Sequence, residues 1–295
     1  MVSLSLLALV LAALLPLSAA QSFSQQPSPR ASTFNEATEI VRRSLEADDR
    51  TAELSRNYTY KRHEVRKHLG LHGEVKSSST KTWDIINLYG EPYARLIQKN
   101  DLPLSEKDEK MEEQKLEEFF NRRKNESDEI RQKRLAREKK QRDARRAFFR
   151  DVVNAYEFRI AGEEAMDGRD AWVIEATPSK EFHPTQPHAG LLSKLKATVW
   201  IDKQDGNWVK AEGEVMETLS AGLFIARLHP GTRFVLQQAR VNDEIWLVRR
   251  LSVEARARVL LLSNRAVELE YTFSDFKKFA ADTKILPTSA DTDLK

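Results

Sequence analysis

Histidine is the residue type in this chain that most invites a metal reading, and there are six of them. His63, His68 and His72 lie close together, and His183 and His188 share a Pro-rich stretch. A zinc or iron centre needs three or four N, S or carboxylate donors converging on one point. Residues 57–68 alternate as a strand does, so His63 and His68 are expected on opposite faces. No HExxH motif or facial carboxylate triad accompanies them, and surface or loop histidines are the better account. The absence of cysteine removes thiolate ligands, Cys nucleophiles and disulfides together. There is no GxSxG elbow. With only ten glycines, no Gly-rich loop is available to cradle a phosphate. No pair of carboxylates stands out as an acid and base. The expectation is therefore a protein without metal, cofactor or catalytic residues, with a hydrolase kept as the weaker alternative.

What remains is binding by burial. Along the C-terminal strands, Val199, Ile201, Val215, Val253, Val259, Leu269 and Tyr271 are large and apolar, while Ala211, Gly213, Ala255 and Ala257 are small. A sheet face with such a small-residue floor either lets a helix approach closely or leaves a hollow wide enough for an acyl chain. Residues 220–228 form an apolar run between Gly222 and the turn His229-Pro230-Gly231. Its Leu223, Phe224, Ile225 and Leu228 are expected to act as a short lid or as part of the lining, a plain buried strand being the other reading.

The elements that would position this face follow from periodicity. Residues 34–49 carry Ala37, Ile40, Val41, Ser44 and Leu45 on one stripe, which predicts an amphipathic helix. Residues 57–68 and 73–88 predict a hairpin turning at 70–73, and residues 93–99 a further short strand. Between 105 and 150 more than half the residues are charged and neither Gly nor Pro occurs. Acid leads and base follows, which suits a helix macrodipole, and Ser105 is a ready N-cap. Asn125, Glu126 and Ser127 are placed to break this segment into a solvated helix pair, anchored through Phe119 and Phe120 at one end and Phe148 and Phe149 at the other. A partner- or membrane-binding arm is the sharper alternative.

From residue 156 onward the period is two. Residues 156–161 and 170–177 flank Asp167-Gly168, a hairpin signal. Residues 195–202 and 208–218 flank Asp205-Gly206-Asn207. Residues 251–261 and 267–274 alternate strictly, as an antiparallel sheet does with one face buried and one wet. Strands this long imply strong curvature. The expected class is α+β: a curved, half-open antiparallel barrel with covering helices and a charged helical insertion at about 105–150.

Residues 2–19 are uncharged and dense in leucine, and Ser18 and Ala20 precede Gln21 at the small-residue positions of a cleavage site. This predicts an exported protein cleaved near Ala20, with a retained anchor as the alternative. A flexible leader at 21–32, a single domain at 33–279 and a flexible tail at 280–295 complete the expected organisation. The 48 basic and 45 acidic residues nearly cancel, which argues against a nucleic-acid partner.

The C-terminal half resembles a known family. The stretch Asp167-Gly168-Arg169-Asp170-Ala171-Trp172-Val173-Ile174-Glu175-Ala176-Thr177-Pro178 is similar to a strand of LolA/LolB-like outer-membrane lipoprotein-sorting proteins. Val199-Trp200-Ile201-Asp202-Lys203 and Tyr271-Thr272-Phe273-Ser274-Asp275-Phe276-Lys277-Lys278 resemble two later strands of that family. The resemblance spans roughly residues 155–279. It implies a half-open barrel with helices over its mouth, a periplasmic location, and a lipid or lipoprotein acyl chain as ligand, with transient membrane contact at most. RseB-like members would instead imply a regulatory scaffold with an envelope protein partner. The charged segment at 105–150 departs from the small carriers of the family.

Overall fold

The computed structural model describes residues 33–70, 73–186, 189–221, 226–259 and 263–279. The expected signal peptide, leader and tail lie outside the described residues, as do His72, His188, Leu223, Phe224 and Ile225. Thirteen strands are described. They are β1 (Tyr58–Leu69), β2 (Val75–Leu88), β3 (Glu91–Lys99), β4 (Leu102–Pro103), β5 (Tyr156–Met166), β6 (Arg169–Pro178), β7 (Leu195–Asp202), β8 (Trp208–Val215), β9 (Leu219–Ala221), β10 (Ala226–Leu228), β11 (Arg233–Val241), β12 (Ile245–Val259) and β13 (Ser263–Lys278). Three α-helices accompany them: α1 (Thr33–Leu54), α2 (Glu106–Lys124) and α3 (Asp128–Ala155).

All the strands belong to one antiparallel sheet whose main path runs β4-β3-β2-β1-β13-β12-β11-β8-β7-β6-β5. Its ends do not join, so the fold is an open, curved α+β half-barrel. The alternation in sequence explains the burial. Leu251, Val253 and Ala255 of β12 are buried, whereas Glu254 is exposed. Tight turns join the strands because residues that tolerate positive φ stand where they are needed. Asp167 and Gly168 adopt φ of 49° and 79°, and Asn242 and Asp243 adopt 52° and 56°.

Sequence alternation misses one strand pairing. Residues 233–241 and 245–250 were not expected as strands, yet they form β11 and the start of β12. A bulge between Gln237 and Gln238 shifts the register against β12. The extra residue is Arg249 of β12, which breaks the period of two between Val248 and Leu251, while β11 alternates but carries the polar Gln238 on its buried side, so no continuous apolar face is legible in either. The strand expected at 208–218 ends at Val215. Ala226, Arg227 and Leu228, expected in a lid, form β10, which pairs with both β9 and the end of β12. Leu219 and Leu228 are buried, so this part of the run belongs to the sheet rather than lying over it.

Helix α1 continues past its expected end at Asp49 to Leu54 and lies in the concavity. Its Ala37 and Val41 are buried against sheet residues including Phe158, Ile174, Leu251 and Leu269. Trp208 Nε1 donates to Asp48 Oδ1 at 2.9 Å, which fixes the helix to β8. Arg146 Nε donates to Asp49 Oδ2 at 2.8 Å, and Arg145 also reaches this carboxylate, so α3 is tethered to α1. Burial raises the Asp49 pKa, but these two guanidinium groups outweigh it and the net shift is downward.

The charged segment forms the expected helix pair. Ser105 Oγ accepts from Asp108 N at 3.2 Å and caps α2; Ser127 Oγ accepts from Ile130 N at 3.3 Å and caps α3. The chain breaks between them at residues 125–127. Phe119 is buried, 5.1 Å from the Tyr93 ring, and Phe149 is buried at the far end of α3. Glu126 accepts from Arg123 at 2.9 Å and from Arg134 at 3.0 Å, stitching the two helices together. Glu112 of α2 is buried, and its carboxylate accepts the Leu96 amide of β3 at 3.2 Å.

Candidate functional site

The structure gathers the inner-face residues read from the sequence onto one packed wall. Ile201, Val215, Leu228, Val253, Ala255 and Leu269 are buried in a single core cluster, and Val199, Ala211 and Tyr271 pack against its edge. Ala257 and Val259 sit on β12 opposite β10 and β13. Two features fill the space over the small-residue floor. One is α1, whose Ala37 and Val41 reach the wall. The other is Phe234 of β11: a Cβ added to Gly213 would lie 1.9 Å from its ring. The missing side chain of Gly213 is thus the seat of its cross-strand partner Phe234.

The open space lies further along the same face. A cavity of about 220 Å³ is lined by Tyr58 and Tyr60 of β1, Ile85 and Ile86 of β2, Leu247 and Val248 of β12, and Phe273 and Phe276 of β13. Helix α3 contributes Glu138 and Gln141 to its rim, and the β2–β3 turn contributes Gly90, Glu91 and Pro92. The helix pair is therefore part of the site's wall. The rings interlock: Tyr60 stands 5.9 Å from Phe273 and 5.7 Å from Phe276, centroid to centroid. Val248 and Phe273 also belong to the core under α1, so cavity and core share a partition.

The cavity is a poor place for charge. Burial pushes the Tyr60 hydroxyl up to about 12, against a weaker opposing pull from Arg62. Polar groups at its edge are mutually satisfied. Asn87 Nδ2 donates to the Arg56 carbonyl at 2.8 Å, and Tyr58 Oη donates to Glu244 while accepting from Asn242 Nδ2 at 3.2 Å. An arrangement like this can hold an apolar group by excluding water.

The described histidines are not part of the cavity's lining. His63 Nδ1 lies 3.0 Å from Thr82 Oγ1, and its Nε2 is 3.9 Å from Asp101. Among the described residues, no three His, Cys, Asp or Glu side chains come together as metal ligands. The sequence reading places Tyr58, Tyr60, Ile85, Ile86, Phe273 and Phe276 in strands and does not gather them into a site. Their convergence depends on the pairing of β1 with β13, which joins the first hairpin to the last strand.

No family model and no curated protein matches this chain. Similar solved structures include a DUF1329 family protein from Desulfovibrio piger ATCC 29098, 13% identical over 85% of this chain and 95% of that one, at a TM-score of 0.28. Another is a LolA superfamily protein from Nitrosomonas europaea, 12% identical over 83% of this chain and 94% of that one, at a TM-score of 0.25. The second carries the name of the family that the strands of residues 155–279 resemble.

Proposed function

We propose that this chain is a non-catalytic binding protein of the bacterial envelope that holds an acyl chain or a similar apolar group. The observation that carries the reading is the cavity between β1, β2, β12, β13 and α3, with its aromatic and aliphatic lining and its polar rim. Affinity comes from apolar surface removed from water, at about 25 cal/mol per Å². The size of the cavity limits what enters it. At about 220 Å³ it falls below the roughly 300–1,000 Å³ of typical small-molecule sites, so it takes one segment of a chain and not a whole lipid. A longer chain would reach past the shared Val248–Phe273 partition to the wall formed by Val199, Ile201, Ala211, Val215, Val253, Ala255, Leu269 and Tyr271 once α1 shifts. Export through a cleaved leader near Ala20 and service to lipoproteins are the finer parts of this proposal. Among the described residues, no helix is long and apolar enough to cross a membrane.

Native mass spectrometry of the protein extracted from membranes tests the reading. The expected result is a bound species of lipid mass that disappears when Ile86→Trp fills the cavity. Protein that never carries an apolar molecule, and that excludes an acyl probe in solution, would sink it.

A further inference from the structure

Beyond the cavity the concave face turns from oily to charged within one strand repeat. On β1, Tyr60, Arg62, Glu64 and Arg66 succeed one another on the same side, because alternate residues share a face. Tyr60 pairs with Ile85, Arg62 with Trp83 and Phe273, and Glu64 with Lys81 and Tyr271. The Arg62 guanidinium lies 4.4 Å over the Trp83 ring and 5.8 Å from the Tyr271 ring. Its Nε is shut off from solvent with no hydrogen-bond partner, and among the described residues no carboxylate pairs with it. Glu64, the acid next on that face, is already engaged: it accepts Arg66 Nε at 3.2 Å and the Tyr271 hydroxyl.

A second hollow, an open groove of about 440 Å³, lies between β2, β3 and α2; Arg62 is not part of its lining but stacks on the ring of Trp83, which is. Trp83, Lys81 and Ala94 line it on the sheet side. Ala94 of the groove pairs directly with Ile85 of the cavity, so the two hollows are neighbours on the sheet, separated by that pair of residues. Two carboxylates also face the groove, Glu112 and Glu118. Glu112 is occupied by Lys115 and the Leu96 amide, while Glu118 is exposed.

We propose that the two hollows form one site for an anionic amphiphile, with the chain in the cavity and an oxyanion head, carboxylate or phosphate, on Arg62 and Lys81 beside Trp83. This deepens the apolar-binding reading and rests on it. Stacking on rings supports a guanidinium only weakly, and with Nε shut off from solvent it is the terminal nitrogens of Arg62 that remain open to a counter-ion. An oxyanion meets them with charge-assisted, paired hydrogen bonds. The combined space also brings the site into the size range of small-molecule pockets.

Calorimetric titration of the full chain with decanoate, decyl phosphate, decanol and inorganic phosphate tests this. Either anionic amphiphile is expected to bind about tenfold tighter than decanol, the worth of one charge-assisted contact. Inorganic phosphate alone is expected to bind far more weakly than decyl phosphate. Arg62→Gln should erase most of the anionic advantage while leaving decanol within about twofold. Lys81→Gln, at an exposed position, should lower it by a smaller factor and guards against a folding defect in the first variant. Decanol binding as tightly as decanoate, or an advantage that survives both substitutions, overturns the head site and leaves the apolar reading standing. Inorganic phosphate binding as tightly as decyl phosphate overturns the amphiphile in favour of a simple anion site. Failure of decanol itself to bind removes the apolar reading and this inference with it.

Discussion

One end of the concave face is filled and the other is not, although both are built from strands of the same alternating kind. Over β7, β8, β11 and β12 the hollow is closed by α1 and by Phe234 lying in the gap at Gly213. Over β1, β2 and β13 the nearest helical roof is α3, which touches only the rim through Glu138 and Gln141. Alternation decides which side chains turn inward. Whether they meet one another or leave room depends on which helix is laid across them and how small the residues beneath it are. A small-residue floor, which the sequence offers as a possible ligand wall, here admits a helix and a cross-strand ring. The room is left where large rings stand apart.

This contrast can be broken by substitution, and the largest effect belongs to the closed end. Leu251 is fully buried under α1, and Leu251→Ala should cost about 2–5 kcal/mol in urea unfolding. A loss below about 1 kcal/mol would mean that end is loosely packed. At the open end, Ile86→Trp should change the apo protein little. It should abolish ligand stabilisation, which for the native chain reaches about 2.7 kcal/mol at a hundredfold excess over Kd. Thermal melts with and without decanol separate the two contributions.

Gly213→Ala is the next effect in size. A methyl group there meets the Phe234 ring, so about 1–3 kcal/mol should be lost, and Phe234→Leu in the same chain should recover part of it. The smallest effect concerns pH. Burial raises the Tyr60 pKa to about 12, so the folded state favours its neutral form. That contribution is complete below the unfolded value near 10 and is lost as pH rises through 12. Tyr60→Phe has no proton to release, so its stability should fall by about 1–2 kcal/mol less than the native chain's between pH 10 and pH 12. Denaturant titrations across that range check it. Tyr271, also raised to about 12 by burial and by its bond to Glu64, should leave a residual slope in the variant.

Much of the fold is legible in the residues themselves. Asp167-Gly168 marks its hairpin because few other pairs accept two positive φ values in succession. Ser105 marks the start of α2, and the 125–127 break separates the helices where a second serine can cap. The turn at Asn242-Asp243 is readable in the same way, but it lacks the glycine that draws attention; the buried polar Gln238 hides the strand before it, and the bulge at Arg249 hides the start of the strand after it. The site is less legible because its parts are remote from one another. Nothing near Ile85 announces that Phe273 will lie beside it, and nothing near Ala255 announces that Val41 will cover it. Arg62 looks from the sequence like one more outward charge on a strand; only the pairing of β1 with both β2 and β13 places two rings around it.

Glu112 has a consequence for the life of the protein among its neighbours. Strand β3 ends the regular part of the sheet, followed only by the two-residue β4, and an unpaired border of this kind invites any extended segment to add itself. By reaching down to the Leu96 amide, a side chain from α2 occupies one backbone donor near this border. The charged helix thus blunts one border of the sheet, and a chain without this carboxylate should self-associate more readily than the native one.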